Sequence, residues 1–193
     1  MKTFIAGLSL TSLLACTFAA APGMEARVAR ERGRMPDKRE EKEAEEKLRK
    51  QYRAELDLML VKDDKLPEGC RLAPMEKRSK FLPSNPTVSQ DPPIMMLISM
   101  GVGTIAVADQ SITNDLESVF SAVYHDTDGK ETGVNLLLFK EAEKAGEIFR
   151  KLKPKAYLPL FHHDRYLLGI WTDNQNMELA NWMKDYFEHA AWP

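Results

Sequence analysis

The chain of 193 residues has only two cysteines, Cys16 and Cys70. Cys16 closes a leading apolar segment, which leaves Cys70 without a partner. No intrachain disulfide is expected, and the fold must rest on its hydrophobic core. Cys70 follows "LPEG" with no histidine beside it and reads as a small, half-buried residue rather than a reactive thiol. Charge of one sign is equally scarce. Twenty-seven Lys/Arg face 29 Asp/Glu, for a net −2 and a pI near 6.1, so the chain lacks the basic surplus of a nucleic-acid binder. Catalytic signatures are missing as well. There is no Gly-x-Ser-x-Gly elbow, and no spacing pins a nucleophile to His125 and Asp126. The "GVG" at 101–103 lacks the further glycines and the Lys-Ser/Thr ending of a phosphate loop. No cofactor is expected.

What is present begins with a targeting segment. Lys2 precedes thirteen uncharged residues, Thr3 to Ala15, the charged start and apolar stretch of an export signal. The stretch is shorter than the ~20 residues of a membrane span. Leu13-Leu14-Ala15-Cys16 resembles the bacterial lipoprotein box: an aliphatic residue, a tolerant position, a small residue and then the cysteine. The resemblance covers residues 1–16 only. It implies that Cys16 becomes the lipidated first residue of the mature chain, with the membrane as a partner through that lipid. The rival processing site is Thr17-Phe18-Ala19, a small-x-small pattern cut after Ala19, which would leave a secreted, lipid-free protein.

Residues 17–36 hold Pro22, Pro36, Gly23 and Gly33, and the stretch from Ala21 to Glu41 has few apolar side chains, the composition of a flexible tether. Their arginines are interrupted by Glu25 and Glu31, so a soluble spacer is a better account than a lipid-headgroup patch. A helix is predicted over 37–65. Ala44, Leu48, Tyr52 and Leu56 recur every fourth residue as a narrow apolar stripe. Glu43/Lys47, Glu45/Arg49 and Glu46/Lys50 are acid-before-base pairs at i,i+4, each worth about 0.2–0.5 kcal/mol. The stripe is too short for a coiled coil. It suits a charged helix that docks its last turns, "LDLML", on the domain C-terminal to it.

The remaining residues, 66–193, are large enough for a core and carry 13 Lys/Arg against 17 Asp/Glu. They open with a connector holding six prolines between Leu66 and Pro93, which must be mostly extended or turned. Asp91-Pro92 reads as an N-cap and first helical position. The seventeen uncharged residues from Pro92 to Ala108 are read as a buried helix ending at Gly101 and an apolar connector, not as a membrane element. Beyond them the pattern strand–strand–helix occurs twice. The first pair of strands turns at Asp128-Gly129; its helix carries Ala142, Ala145, Phe149 and Leu152 on one face. The second pair surrounds His162-His163-Asp164, and its helix carries Leu179, Met183, Tyr186 and Ala190, widened by Trp182 and Phe187. The fold class expected is α+β: an antiparallel sheet of two ββα units with helices on one face, preceded by the charged helix. Pro159, inside a strand-like run, should mark an edge or a bulge.

Three constellations invite a chemical reading. His162-His163-Asp164 offers metal-ligand types, but neighbours on a strand point to opposite faces, so a solvated turn is the better account. Asp126-Thr127-Asp128-Gly129 suggests a calcium loop. It fails because Lys130 occupies the fifth position and Glu131 the sixth, where the loop wants an oxygen ligand and a glycine. Tyr166, Trp171, Trp182, Tyr186 and Phe187 could line a ligand groove, yet their spacing favours the core. The expectation is therefore a non-enzymatic, lipid-anchored protein of the bacterial cell envelope whose small domain either binds a protein or small ligand or is structural, a spacer that associates through the Leu48, Tyr52 and Leu56 stripe. The alternative is a secreted periplasmic or extracellular protein with an enzymatic or metal-binding role at His125, His162 and His163.

Overall fold

The structure, a computed structural model, describes residues 38–74, 84–102, 112–152, 159–172 and 177–193. The signal segment, the tether, Cys16 and Ala19 lie outside these residues. The chain divides into compact units Met1–Arg39 and Glu40–Pro193, and the fold described is that of the second.

It is an α+β fold built on a six-stranded sheet in which every pairing is antiparallel. The charged segment forms helix α1 (Lys38–Gln51) and, after a break at Tyr52, helix α2 (Arg53–Met59). Two of the sequence-predicted ion pairs close, Glu45–Arg49 and Glu46–Lys50, each at 3.0 Å. The apolar stripe descends into the molecule: Ala44 is exposed, Leu48 half-buried, and Tyr52 and Leu56 buried. In "LDLML", Leu56, Leu58 and Met59 are all in the core, as the docking expectation requires. A short 3-10 turn (Asp63–Lys65) leads into strand β1 (Arg71–Leu72).

Strand β2 (Thr87–Ser89) and helix α3 (Pro92–Met100) follow, the helix entered at Asp91 and left at Gly101. Those bounds match the sequence reading, although Asp91 makes no side-chain cap bond. Among the described residues no helix is long and apolar enough to cross a membrane. A single turn, α4 (Ile112–Asp115), runs into β3 (Leu116–His125), which pairs with β4 (Glu131–Phe139). Helix α5 (Ala142–Lys151), strands β5 (Leu160–His163) and β6 (Tyr166–Thr172), and helix α6 (Met177–Glu188) complete the order. The strand order is β1-β3-β4-β6-β5, with β2 also on β3. Pro159 immediately precedes the edge strand β5, where a missing N–H costs no ladder bond.

The placement of the helices departs from the sequence expectation. Helices cover both faces of the sheet. On one face Phe120, Ala122, Tyr124, Leu136, Leu138, Leu168 and Ile170 pack with α2 and with Leu179, Ala180, Met183 and Phe187 of α6. On the other, Val119, Leu137, Phe139 and Leu167 pack with Met95 and Ile98 of α3 and Ala145 of α5. The physical reason is the composition of the strands. Residues of both parities along β4 are apolar, so neither face tolerates water. Each buried Leu or Phe contributes roughly 1.5–3 kcal/mol, and a sheet bare on one side would forfeit that for every such residue on the bare face.

Candidate functional site

A group of linked polar side chains lies where α1 and α2 meet the sheet, with Glu55 buried and Glu117 and Arg165 half-buried. Tyr52 Oη donates to Glu117 Oε1 at 3.1 Å, and Tyr166 Oη donates to Glu55 Oε1 at 2.9 Å. The two bonds are reciprocal. The helical segment supplies a phenol and, three residues on, a carboxylate; the sheet supplies the complementary carboxylate and phenol. Glu117 reaches its partners because the register of β3 against β4 shifts between Leu116 and Ser118, an irregularity of the kind that re-aims a side chain. Its second oxygen accepts from Arg165 at 2.8 Å. Gln90 Nε2 donates to Tyr52 Oη at 2.9 Å and to the Glu117 carbonyl at 3.2 Å. Arg49 adds a bond to the Pro86 carbonyl at 2.7 Å.

Burial, followed by the facing carboxylate, raises the pKa of Tyr52 and that of Tyr166 to about 12. Deeper in the same core, Tyr124 donates to the Met59 carbonyl and accepts from the Val61 N–H, and burial pushes its phenol well up. None of these phenols is poised to exchange protons near neutrality. The arrangement is a latch that fixes the helical segment on the sheet.

The sequence-predicted residues are not brought together. His125 ends β3, its Nε2 3.3 Å from Glu131 Oε1. His162 and His163 lie on β5 opposite Leu167 and Tyr166, at the far end of β6 from Thr172, which neighbours the His125 end. Six residues along a strand separate the two ends by about 20 Å. His162 and His163 also part from each other: His162 stacks on Phe149 of α5 at 5.3 Å, His163 on Trp192 at 5.5 Å. Among the described residues no three His, Cys, Asp or Glu side chains are grouped to hold a metal ion. Asp126 is a turn residue, its Oδ1 accepting from the N–H of Asp128 and of Lys130, with Gly129 at φ +77°. Cys70 is half-buried, its thiol pushed up by burial and then by the negative charges of Asp126 and Glu178.

The aromatics divide. Tyr166 and Phe187 belong to the core, whereas Trp171, Trp182 and Tyr186 are half-buried. Tyr186 lines an open groove of ≈ 710 Å³ between α2, the 3-10 turn and the end of α6. Ala54, Leu58, Ala190 and Ala191 give it apolar surface; Asp57 and Lys65 give it charge and His189 a polar ring; Trp192 is its second aromatic. Both rings are held by a neighbour: Trp182 lies nearly parallel to Tyr186 at 5.4 Å and 17°, and His163 nearly parallel to Trp192 at 5.5 Å and 12°. Trp192 escaped the sequence reading because it follows the last helix and carries no periodicity. Compared with protein-family profiles, with curated proteins and with solved structures, the chain matches none.

Proposed function

We propose that the chain is an exported, lipid-anchored protein of the bacterial cell envelope whose α+β unit is a non-enzymatic binding module. The observation that carries the proposal is Leu13-Leu14-Ala15-Cys16 at the end of an uncharged stretch, followed by a tether of the composition an anchored domain needs. In this reading the two strand–strand–helix segments are the building units of the module and the charged helix precedes them. The binding role is supported by an open groove lined by two aromatic rings, each stacked on a neighbouring ring. Labelled palmitate should enter the wild-type chain in the expressing bacterium and should not enter Cys16→Ser. Unchanged labelling of the variant, or an unlabelled wild type with the mass of a chain cut after Ala19, refutes the anchor and leaves the secreted form.

A further inference from the structure

We propose that the groove between α2 and the end of α6 binds a short, neutral oligosaccharide built of pyranose units in the gluco configuration. The inference deepens the binding-module reading and rests on it, but it is independent of the lipid anchor. Its first ground is the pair of aromatic rings. Tyr186 and Trp192 line the groove, and each is fixed by the ring stacked on it, Trp182 and His163 respectively. Rings already held in place lose little freedom when a ligand packs on them. A pyranose in the gluco configuration presents faces of C–H bonds that pack on such rings, while its hydroxyls project from the edge.

The second ground is the charge around the groove. Asp57 offers acceptors, Lys65 offers donors, and His189, whose Nδ1 lies 2.9 Å from the Asp185 carbonyl, has its other ring nitrogen to offer. A rim of both signs does not select an ion of either sign. It suits a neutral ligand whose every hydroxyl both donates and accepts. Lys65 has no carboxylate partner among the described residues, whereas Asp57 pairs with Arg53 at 3.7 Å on an exposed surface, a contact easily exchanged for a ligand hydroxyl. The third ground is size and shape. A volume of ≈ 710 Å³ lies within the range of ligand sites. The small side chains of Ala54, Ala190 and Ala191 leave room beside the rings, and the opening to solvent lets a chain run out at its ends.

The test uses the full chain with two probes, cellotriose and triacetylchitotriose, followed by ligand-observed saturation-transfer NMR. Both should receive saturation from the protein, strongest at ring C–H protons. Ala54 is exposed, so Ala54→Met, which adds bulk without an aromatic face, should crowd the groove without disturbing the fold and abolish the transfer. Trp192→Ala should weaken binding about tenfold, the worth of one aromatic contact. The thermal transition of each variant shows that it is folded. No transfer to either trisaccharide at about 10 mM, or transfer undiminished in folded Ala54→Met, overturns the proposal. Palmitate labelling of the same preparation separates this failure from a failure of the anchor.

Discussion

The phenol–carboxylate latch can be tested by a double-mutant cycle on Tyr166 and Glu55. Glu55 is 9 % exposed, and its carboxylate accepts from Tyr166 at 2.9 Å. Tyr166→Phe removes the donor and strands a buried carboxylate, which should cost about 2–3 kcal/mol. Glu55→Leu leaves the Tyr166 hydroxyl without an acceptor but adds apolar surface to the core, so the net loss should be about 1 kcal/mol. In the double variant neither polar group is left behind. It should therefore be more stable than the sum of the single losses predicts, by about 1.5 kcal/mol. Urea unfolding followed by tryptophan fluorescence reads the cycle, provided the slope against denaturant stays constant. Additivity within about 0.5 kcal/mol would mean that the two side chains do not interact in the folded protein, and the latch would be refuted.

The same phenols fix a dependence on alkaline pH. Tyr52 and Tyr166 hold their protons to about 12 in the folded state, against 10.0 for an ordinary phenol. Between those values the unfolded chain has released protons that the folded chain retains. Stability is then complete below pH 10 and falls as pH rises, by at most ~1.4 kcal/mol per pH unit for each phenol. Tyr166→Phe should flatten that decline, and a slope identical to wild type contradicts the assignment.

Two further expectations concern single residues. Asp164 sits at φ +48° in the turn between β5 and β6; Asp164→Gly should hold or slightly raise the thermal midpoint, whereas Asp164→Ile should cost about 1–2 kcal/mol, and equal midpoints would show that the turn is not left-handed. In a Cys16→Ser chain, where Cys70 is the remaining thiol, an aromatic disulfide reagent at pH 8 should react more slowly than with a free thiol and speed up in urea; equal rates would contradict the partial burial of Cys70.

The parts of the fold that were legible in the sequence are those set by neighbours along the chain. Asp128-Gly129 names the β3–β4 turn because few residues other than glycine accept φ near +77°. Asp91-Pro92 and Gly101 bracket α3 because a proline opens a helix and a glycine closes it. The two-sided sheet was not legible, because a short unbroken apolar run such as "LLLF" fits a buried strand and a buried helix alike. Asn85 was also missed. Its side-chain amide stands in for a strand backbone, donating to the Ala73 and Val123 carbonyls at 2.8 and 2.9 Å and accepting from the Val123 N–H at 3.1 Å. The latch was hidden by distance along the chain: its paired residues are 65 and 111 positions apart, and no local pattern reports such a pair. Tyr52 shows the limit well, since the apolar stripe predicts its burial but not the carboxylate that receives its hydroxyl.

Covering both faces of the sheet has a consequence for recognition. The apolar side chains of β3, β4 and β6 are spent on the helices, so a ligand must be met at a sheet edge or between helices. The groove is such a place, and α2 builds it together with the latch. Glu55 holds Tyr166 through its hydroxyl, and the Tyr166 ring lies 6.2 Å from that of Trp192. The neighbours of Glu55 on either side of that turn, Ala54, Asp57 and Leu58, line the groove that Trp192 also lines. One helical turn therefore carries a wall of the groove and, through Tyr166, braces the aromatic ring set against it. The segment that reads in the sequence as a charged spacer is, at its C-terminal end, part of the surface that would do the binding.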